Sequence, residues 1–212
     1  MTRALSEPTS RRQARRNERR DAIIAVAARA FLEHGYAGTT MSAVADAVGG
    51  SKGTLWSHFS SKEDLFTAVI DRLTTDFHSR LFDTLQANED VASALRAFCL
   101  RFIARLVTDD SVALFRLAIS EACRTPAVGQ IFYERGPLHV QQKLMVYMKE
   151  AMERGQLIES DPLEAARELI ALCLFSSRHD LLLGVIEGLS PRDIAKRADR
   201  AVSTFMRAYR MM

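Results

Sequence analysis

The sequence predicts an all-α protein, and the positions of its helix breakers are the first reason. All ten glycines and five prolines lie outside residues 54–125, and none falls within residues 9–34. Long stretches without glycine or proline favour helices. Apolar residues within them also recur at intervals of three and four, the period of an amphipathic helix. We therefore expect an N-terminal three-helix domain followed by a C-terminal helical bundle.

The first two helices are marked by their ends. Residues 19–34 carry an apolar stripe and stop at Gly35, which suits the left-handed position after a helix. Thr40 is the candidate N-cap of a short second helix, because its side chain can accept from the free amides of the first turn. The pair Gly49 and Gly50 ends that helix.

A third and a fourth helix follow directly. Ser51 is the candidate N-cap of residues 52–59, and two short helices joined by a glycine-containing turn form a helix-turn-helix. Ser61, with Asp64 three residues later, resembles a capping box. This box opens a long helix that is predicted to run to about residue 85.

The rest of the chain is predicted to form six further helices. Proline at the first helical position and glycine after the last are the signals for several of their ends. The expected ranges are 91–107, 111–123, a short helix from 126, 137–155, 162–184 and 191 to the C-terminal end.

The basic charge is concentrated near the N-terminus. Residues 1–62 hold ten Lys or Arg and five Asp or Glu, whereas residues 63–212 hold nineteen and twenty-one. Seven arginines lie in residues 1–20, which offer almost no apolar face for a lipid surface. We expect residues 1–18 to be a flexible basic arm that attracts a polyanion. A solvated tail without a partner is the alternative.

The third helix has two chemically different faces. Leu55 and Phe59 are four residues apart and mark its buried side. Gly53, Thr54 and Ser57 then point outward, and a glycine there lets the backbone approach another surface closely. A helix that lies in the major groove of DNA reads base edges with its outward side chains. The pattern therefore predicts a base-reading helix beside a basic arm.

Residues 39–65 carry a specific motif. They read TTMSAVADAVG and, after Gly50, SKGTLWSHFSSKEDL, and residues 19–70 as a whole resemble the DNA-binding domain of TetR-family transcriptional regulators. The resemblance implies that residues 19–65 form the helix-turn-helix domain of an all-α homodimer on a palindromic DNA operator. Such proteins are repressors more often than activators. It also implies that residues 66–212 bind a small effector, which changes the spacing of the two DNA-binding domains.

The resemblance also implies individual DNA contacts. An ammonium beside the first amides of a helix gives a phosphate two favourable partners, which suits a lysine at the start of helix four. The implied phosphate contacts are Thr39 or Thr40, Trp56 and Lys62. The implied base-reading positions are Lys52, Gly53, Thr54 and His58, and the outward Ser57 completes the predicted DNA-binding set.

Two positions depart from the family's pattern. Trp56 stands where tyrosine is usual, and an indole offers only an N–H where the phenol offers a hydroxyl. Gly50 stands where an apolar residue is common, so a packing contact between the two short helices is lost. The sequence therefore predicts a slightly looser helix-turn-helix with altered phosphate geometry at Trp56.

The effector site is expected among the aromatic residues of helices four to seven. Such residues at helical spacing form a core more often than a pocket. Arg116 and His179 are the candidate polar groups, with exposure at a helix edge as the alternative. The candidate effector-binding residues are Phe77, Phe102, Phe115, Arg116, Phe132, Met145 and His179. Residues 115–137 also resemble AefR-type C-terminal domains, and the resemblance places the dimer interface on the last two helices.

Other functions find less support in the sequence. It contains no GxGxxG, P-loop, HExxH or GxSxG motif and no histidine pair four residues apart, so we expect neither an enzyme nor a metal or cofactor site. A helical adaptor protein would explain the helices but not the basic arm. Cys99, Cys123 and Cys173 are an alternative source of regulation through a redox-sensing thiol. The cysteine content and the lack of a membrane-spanning segment favour a cytoplasmic protein.

Overall fold

The computed structural model describes residues 7–49, 52–83, 85, 90–175 and 177–211, with the backbone alone at 7–11, 76 and 177. These residues form eleven α-helices and one π-helical turn, and no strand is found among them. The helices are α1 (Glu7–Gly38), α2 (Met41–Val48), α3 (Lys52–His58), α4 (Lys62–Phe82), α5 (Val91–Leu106), α6 (Asp109–Ala122), α7 (Pro126–Tyr133), α8 (His139–Glu153), α9 (Pro162–Leu174), α10 (Ser177–Leu183) and α11 (Pro191–Tyr209). The π turn (Glu134–Leu138) joins α7 to α8. The all-α prediction is confirmed.

The first helix is longer than predicted. It begins at Glu7, so the prediction of a flexible arm through residue 18 is wrong for residues 7–18. This segment has good helix formers and no breaker after Pro8, which is tolerated in a first helical turn. Residues 1–6 of the predicted arm lie outside the described residues. Gly35 kinks the helix with φ 73° and ψ 172°, and the chain then continues helically to Gly38.

The helix-turn-helix has the predicted caps where the structure describes them. The Thr40 hydroxyl accepts from the amide of Ala43 at 3.1 Å, and Gly49 takes the left-handed conformation after α2. At the start of α4, the Ser61 hydroxyl accepts from the amide of Asp64 at 3.0 Å. The Asp64 carboxylate in turn accepts from the amide of Ser60 at 3.0 Å. The predicted roles of Gly50 and Ser51 lie outside the described residues.

Two predictions for the C-terminal half are wrong. Pro137 does not begin a helix but lies inside the π turn, in a continuous helical path from Pro126 to Glu153. Proline lacks an N–H and clashes with the carbonyl four residues earlier, and a wider π turn accommodates both defects. The predicted single helix over residues 162–184 is broken at Phe175, whose ψ of 128° leaves the helical region. Neither glycine nor proline marks that break in the sequence.

The buried side chains form two clusters. The C-terminal cluster combines α5, α8, α9 and α11. The N-terminal cluster contains the rings of Phe31, Tyr36 and Phe66, whose centroids lie 5.2–5.6 Å apart. It also includes Leu114 and Leu117 from α6. The predicted domain boundary after residue 65 therefore does not separate the cores, because the helix-turn-helix shares its core with α6.

We expect Gly35→Ala to destabilise the protein by about 1–3 kcal/mol, because the backbone conformation of this residue is open almost only to glycine. Gly38→Ala is the matched control. Gly38 does not have a positive φ, and an added Cβ would lie in ordinary contact with His34, 3.6 Å away. Urea denaturation at one protein concentration measures both variants. Equal unfolding free energies for the two would contradict this account of the kink.

Candidate nucleic-acid interface and effector cavity

Helix α3 has the two faces that the sequence predicts. Leu55 and the adjoining Phe59 are buried in the N-terminal cluster. The opposite side presents Trp56, which is 52% exposed, and Ser57 to solvent. The exposed part of the predicted DNA-binding set is Thr40, Lys52, Gly53, Trp56 and Ser57, and the half-buried part is Thr54, His58 and Lys62. The predicted reading helix therefore has a solvent-facing side that is accessible to a groove of DNA.

Arg20, a residue of α1, fixes the end of α3. Its guanidinium lies 4.3 Å from the centroid of the Phe59 ring and donates to the carbonyl of His58 at 3.0 Å. A cation is favourable at the C-terminus of a helix, where carbonyls lack intrahelical partners. The sequence predicted only that the N-terminal arginines attract a polyanion. The structure adds a positioning role for this one.

His58 lies in a positively charged environment. Burial lowers the pKa of His58 below its usual 6.5, and the nearby charges of Arg16, Arg20 and Arg19 lower it further. The imidazole is therefore neutral at pH 7 in the protein without DNA. The same arginines make this end of α3 attractive to an anion.

The two threonines before α2 have different surroundings. The side chain of Thr39 is only 2% exposed, and its hydroxyl donates to the carbonyls of Gly35 and Ala30 at 2.8 and 3.0 Å. These contacts tie the start of α2 to the kinked end of α1, and they remove the Thr39 side chain from the surface. Thr40 is exposed at the N-terminus of α2. Of the two threonines, only Thr40 has a side chain that is exposed to solvent.

Lys62 begins α4 and lies against an aromatic ring. Its ammonium is 4.2 Å from the centroid of Tyr36, a cation–π distance. Burial lowers the pKa of Lys62, and the nearby carboxyl groups of Glu121 and Glu63 oppose that effect. The Lys62 side chain is thus packed, with its ammonium over the Tyr36 ring and near the carboxyl groups of Glu121 and Glu63.

Glu121, which sequence reasoning missed, links the two halves of the molecule. It lies near the end of α6 and is buried at the corner between α1 and α2. Its Oε1 accepts from the amide of Ala37 at 3.3 Å, and its buried Oε2 has no hydrogen-bond partner among the described residues. A carboxyl side chain in a helical sequence gives no sign that it will be buried against a distant turn.

A cavity of about 730 Å³, counted out to its open mouth, lies among α4 to α10. Four of the predicted effector residues line it, namely Phe77, Phe102, Phe115 and Phe132. Gly136 and Pro137 of the π turn form part of its wall. The irregular helix is therefore directly at the cavity, as π turns frequently are at functional sites.

Three predicted effector residues do not line this cavity. Arg116 donates to the carbonyls of Leu181 and Leu182, at 2.7 and 2.9 Å, and so completes the end of α10. Met145 packs against the C-terminal cluster, and His179 is exposed. Arg116 and His179 are both exposed, which is the alternative that the sequence analysis gave for these two residues.

The polar groups of the cavity are different residues. Arg105 donates to Thr108, Ser111 and the carbonyl of Leu73, which lies 3.1 Å from the guanidinium. The other polar groups on its wall include Arg178, His78 and Gln141. Burial, with the His139 ring and Arg105 nearby, lowers the pKa of His78 to about 4. Single arginines in long helices carry no sequence signal that would separate them from surface charges.

The three cysteines that the sequence offered as redox-sensing thiols are free, two of them buried and one exposed. Cys99 and Cys173 are buried with their sulfur atoms 3.4 Å apart. The hydrogen bond with Cys173 and burial raise the pKa of the Cys99 thiol well above its usual value. Thiol reactivity requires the thiolate, so the Cys99 thiol is poorly reactive at neutral pH. Cys123 is exposed.

The described residues contain no group of three His, Cys, Asp or Glu side chains placed to hold a metal ion. Among the same residues, no helix has the length and apolar character needed to cross a membrane.

Two family models match the chain. One, for bacterial regulatory proteins of the TetR family, covers residues 23–69. The other, for the C-terminal domain of AefR-like transcriptional repressors, covers residues 93–211. The chain is also 30% identical over 146 residues to the transcriptional activator FasR from Mycolicibacterium smegmatis. That match spans 62% of this chain and 66%, just under two thirds, of FasR.

Solved structures share the whole architecture. A TetR-family regulator from Mesorhizobium loti superposes with a TM-score of 0.83 at 26% identity, over 93% of this chain and 99% of that one. The flavonoid-responsive regulator FrrA superposes with a TM-score of 0.81 at 29% identity, over 92% of this chain and 98% of its own.

We expect Thr39→Val to lower the free energy of unfolding by about 1–3 kcal/mol, because two part-buried carbonyls of α1 lose their hydrogen bonds to this hydroxyl. DNA affinity of the folded variant should stay within about twofold of the parent, since the side chain does not reach the surface. Thr75→Val is the control, because this exposed threonine should change stability by less than about 0.5 kcal/mol. A Thr39→Val variant with unchanged stability but weakened DNA binding would instead make the hydroxyl a DNA contact.

Proposed function

The chain belongs to the TetR family of transcriptional regulators, and we propose that it is a ligand-responsive repressor that releases a palindromic operator when a small effector enters the C-terminal cavity. Proteins of this family bind DNA operators as dimers and are not enzymes. The observation that carries the proposal is the division of α3 into a buried apolar side and a solvent-facing polar side.

The DNA contacts are proposed from exposure and charge. Lys52, Gly53, Thr54, Ser57 and His58 would read or approach bases, since they lie on the open side or at the end of α3. The phosphate contacts would be Thr40, Trp56 and Lys62, joined by the exposed arginines of α1, Arg12, Arg15 and Arg16. The indole N–H of Trp56 takes the place of a phenol as donor.

We assign the dimer interface to the C-terminal helices, which the sequence prediction counted as two and the structure divides into α9, α10 and α11. Large apolar side chains remain exposed here in the single chain. Phe175, Leu183 and Val185 are 67%, 78% and 69% exposed. Exposed apolar residues of this size mark association surfaces when they are grouped. A twofold pairing of this surface would set two α3 helices on one duplex.

Helix α6 supplies the proposed coupling between effector and DNA. Phe115 in its middle lines the cavity, and Glu121 six residues later holds the amide of Ala37. Six residues of helix span about 9 Å, and a helix moves as a rigid unit over such a distance. A ligand that displaces Phe115 therefore also shifts the corner that positions α2 and α3. The response of FrrA to flavonoids supports a small-molecule effector for this chain.

The proposal is tested by selecting bound duplexes from a random DNA library with the full-length protein. We expect two inverted half-sites, whose spacing reflects the dimer. On the selected duplex, Lys62→Met should weaken binding on every sequence and reduce the slope of log affinity against log salt by about two per dimer. Thr54→Val should instead change the preferred base at one position of each half-site.

Lys149→Met is the matched control, because Lys149 is an exposed residue of α8. It should leave the affinity and the salt slope unchanged. Recovery of no common sequence would count against an operator-binding function. Identical losses for Lys62→Met and Thr54→Val on all sequences would overturn the division into phosphate-binding and base-reading residues.

The affinity for the operator should rise as the pH falls through the range just below 6.5. The free protein keeps the pKa of His58 below its usual value, whereas a DNA phosphate nearby would raise it. The complex therefore takes up a proton that the free protein does not bind, and lower pH favours the complex. Fluorescence anisotropy between about pH 5.5 and 8 measures the effect. A His58→Gln variant with the same pH dependence would exclude His58 from the interface.

A further inference from the structure

The charges that line the effector cavity are all of one sign. Its described lining includes Arg105 and Arg178 and no aspartate or glutamate. His78 adds no positive charge, because its lowered pKa keeps it neutral at pH 7. The remaining wall is mostly aliphatic and aromatic. The cavity is thus an apolar space with two guanidinium groups and no carboxylate to neutralise them.

Arg178 is the guanidinium with unused donors. It is half-buried and lies 3.7 Å from the centroid of the Phe115 ring, and it has no ion pair or hydrogen bond among the described residues. Burial lowers the pKa of Arg178, and no acidic group offsets that effect. Arg105, in contrast, donates three hydrogen bonds to neutral oxygens, those of Leu73, Thr108 and Ser111. Arg105 holds the wall, whereas Arg178 remains available to a ligand.

A second polar group in the cavity also lacks a partner. The buried side-chain oxygen of Gln141, on α8, accepts no hydrogen bond from the described residues. That oxygen is closed off from solvent, so the open cavity does not present it to a ligand. The cavity therefore offers a ligand the N–H donors of Arg178 and aromatic walls between helices.

We propose that the effector is an organic anion, a molecule with an apolar body whose carboxylate or phenolate pairs with Arg178. This inference rests on the proposed effector role of the cavity and specifies its ligand class. A carboxylate fits the planar fork of a guanidinium in a bidentate manner, and the pair is strong in a partly desolvated site. A cationic ligand would add a third positive charge and is disfavoured.

Two sets of matched probes test the ligand class by isothermal titration of the full-length protein at pH 7.5. The flat set is biphenyl-4-carboxylate, biphenyl-4-carboxamide and biphenyl-4-methylamine, and the flexible set is decanoate, decanamide and decylamine. Within at least one set, we expect the carboxylate to bind about tenfold or more tighter than the amide, and the amine to bind weakest. An amide or amine that equals its carboxylate in both sets, or six probes that all fail to bind, would overturn the proposal.

Arg178→Met tests the residue. It should reduce carboxylate affinity about tenfold or more, to near that of the amide, and leave amide affinity unchanged. Arg124→Met, at an exposed arginine at the end of α6, should change neither affinity. Equal losses for carboxylate and amide would mean that Arg178 shapes the cavity without recognising charge. If Arg178→Met unfolds, Arg178→Gln, which keeps polarity without charge, replaces it in the same comparison.

The operator assay separates this inference from the proposed function. If a carboxylate binds through Arg178 but leaves the operator affinity unchanged, the cavity binds organic anions and they are not the effector. Release of the operator by the amide as readily as by the carboxylate would keep the ligand-responsive repressor and refute the anion.

Discussion

The burial of Leu55 and Phe59 is the constraint on which the DNA-binding surface depends. Helix α3 has only seven residues, and so short a helix is not stable in water on its own. Its existence and its rotation about its axis are both set by the N-terminal cluster and by Arg20 at its end. The same two buried side chains that hold the helix therefore decide which residues face outward. Trp56 and Ser57 are on the open side because Leu55 and Phe59 are not.

Helix α6 belongs to both halves of the molecule. Leu114 and Leu117 are buried in the N-terminal cluster, while Phe115 lines the cavity. Leu114 also lines the cavity, so one helix, and one of its residues, contacts both environments. Packed interiors transmit small shifts because they resist compression. The hydrogen bond from the Ala37 amide to Glu121 lies at the end of this helix. A movement of α6 is therefore passed directly to the corner between α1 and α2.

The sequence predicted the helices best where end signals are local. Thr40, Gly49 and Ser61 act on neighbouring backbone groups, and each forms the expected cap. The sequence predictions failed where the position of a side chain is determined by a residue that is distant in the chain. Thr39 is buried because two carbonyls of α1 happen to face it. Arg178 and Glu121 lie beside residues more than sixty positions away, so no periodicity distinguishes them from solvated charges. The aromatic lining was predictable because apolar periodicity already points those residues inward.

The extension of α1 back to Glu7 changes how the N-terminal charges meet a polyelectrolyte. Arg12 and Arg16 are exposed and four residues apart, so a continuous helix places them about 6 Å apart along one edge. A disordered segment must give up conformational freedom when it settles on a partner. A preformed rod has already lost most of its backbone freedom during folding. Its guanidinium groups are therefore already at fixed spacings before they meet DNA. Binding of this helix to DNA costs less conformational entropy than binding of a disordered tail of equal charge.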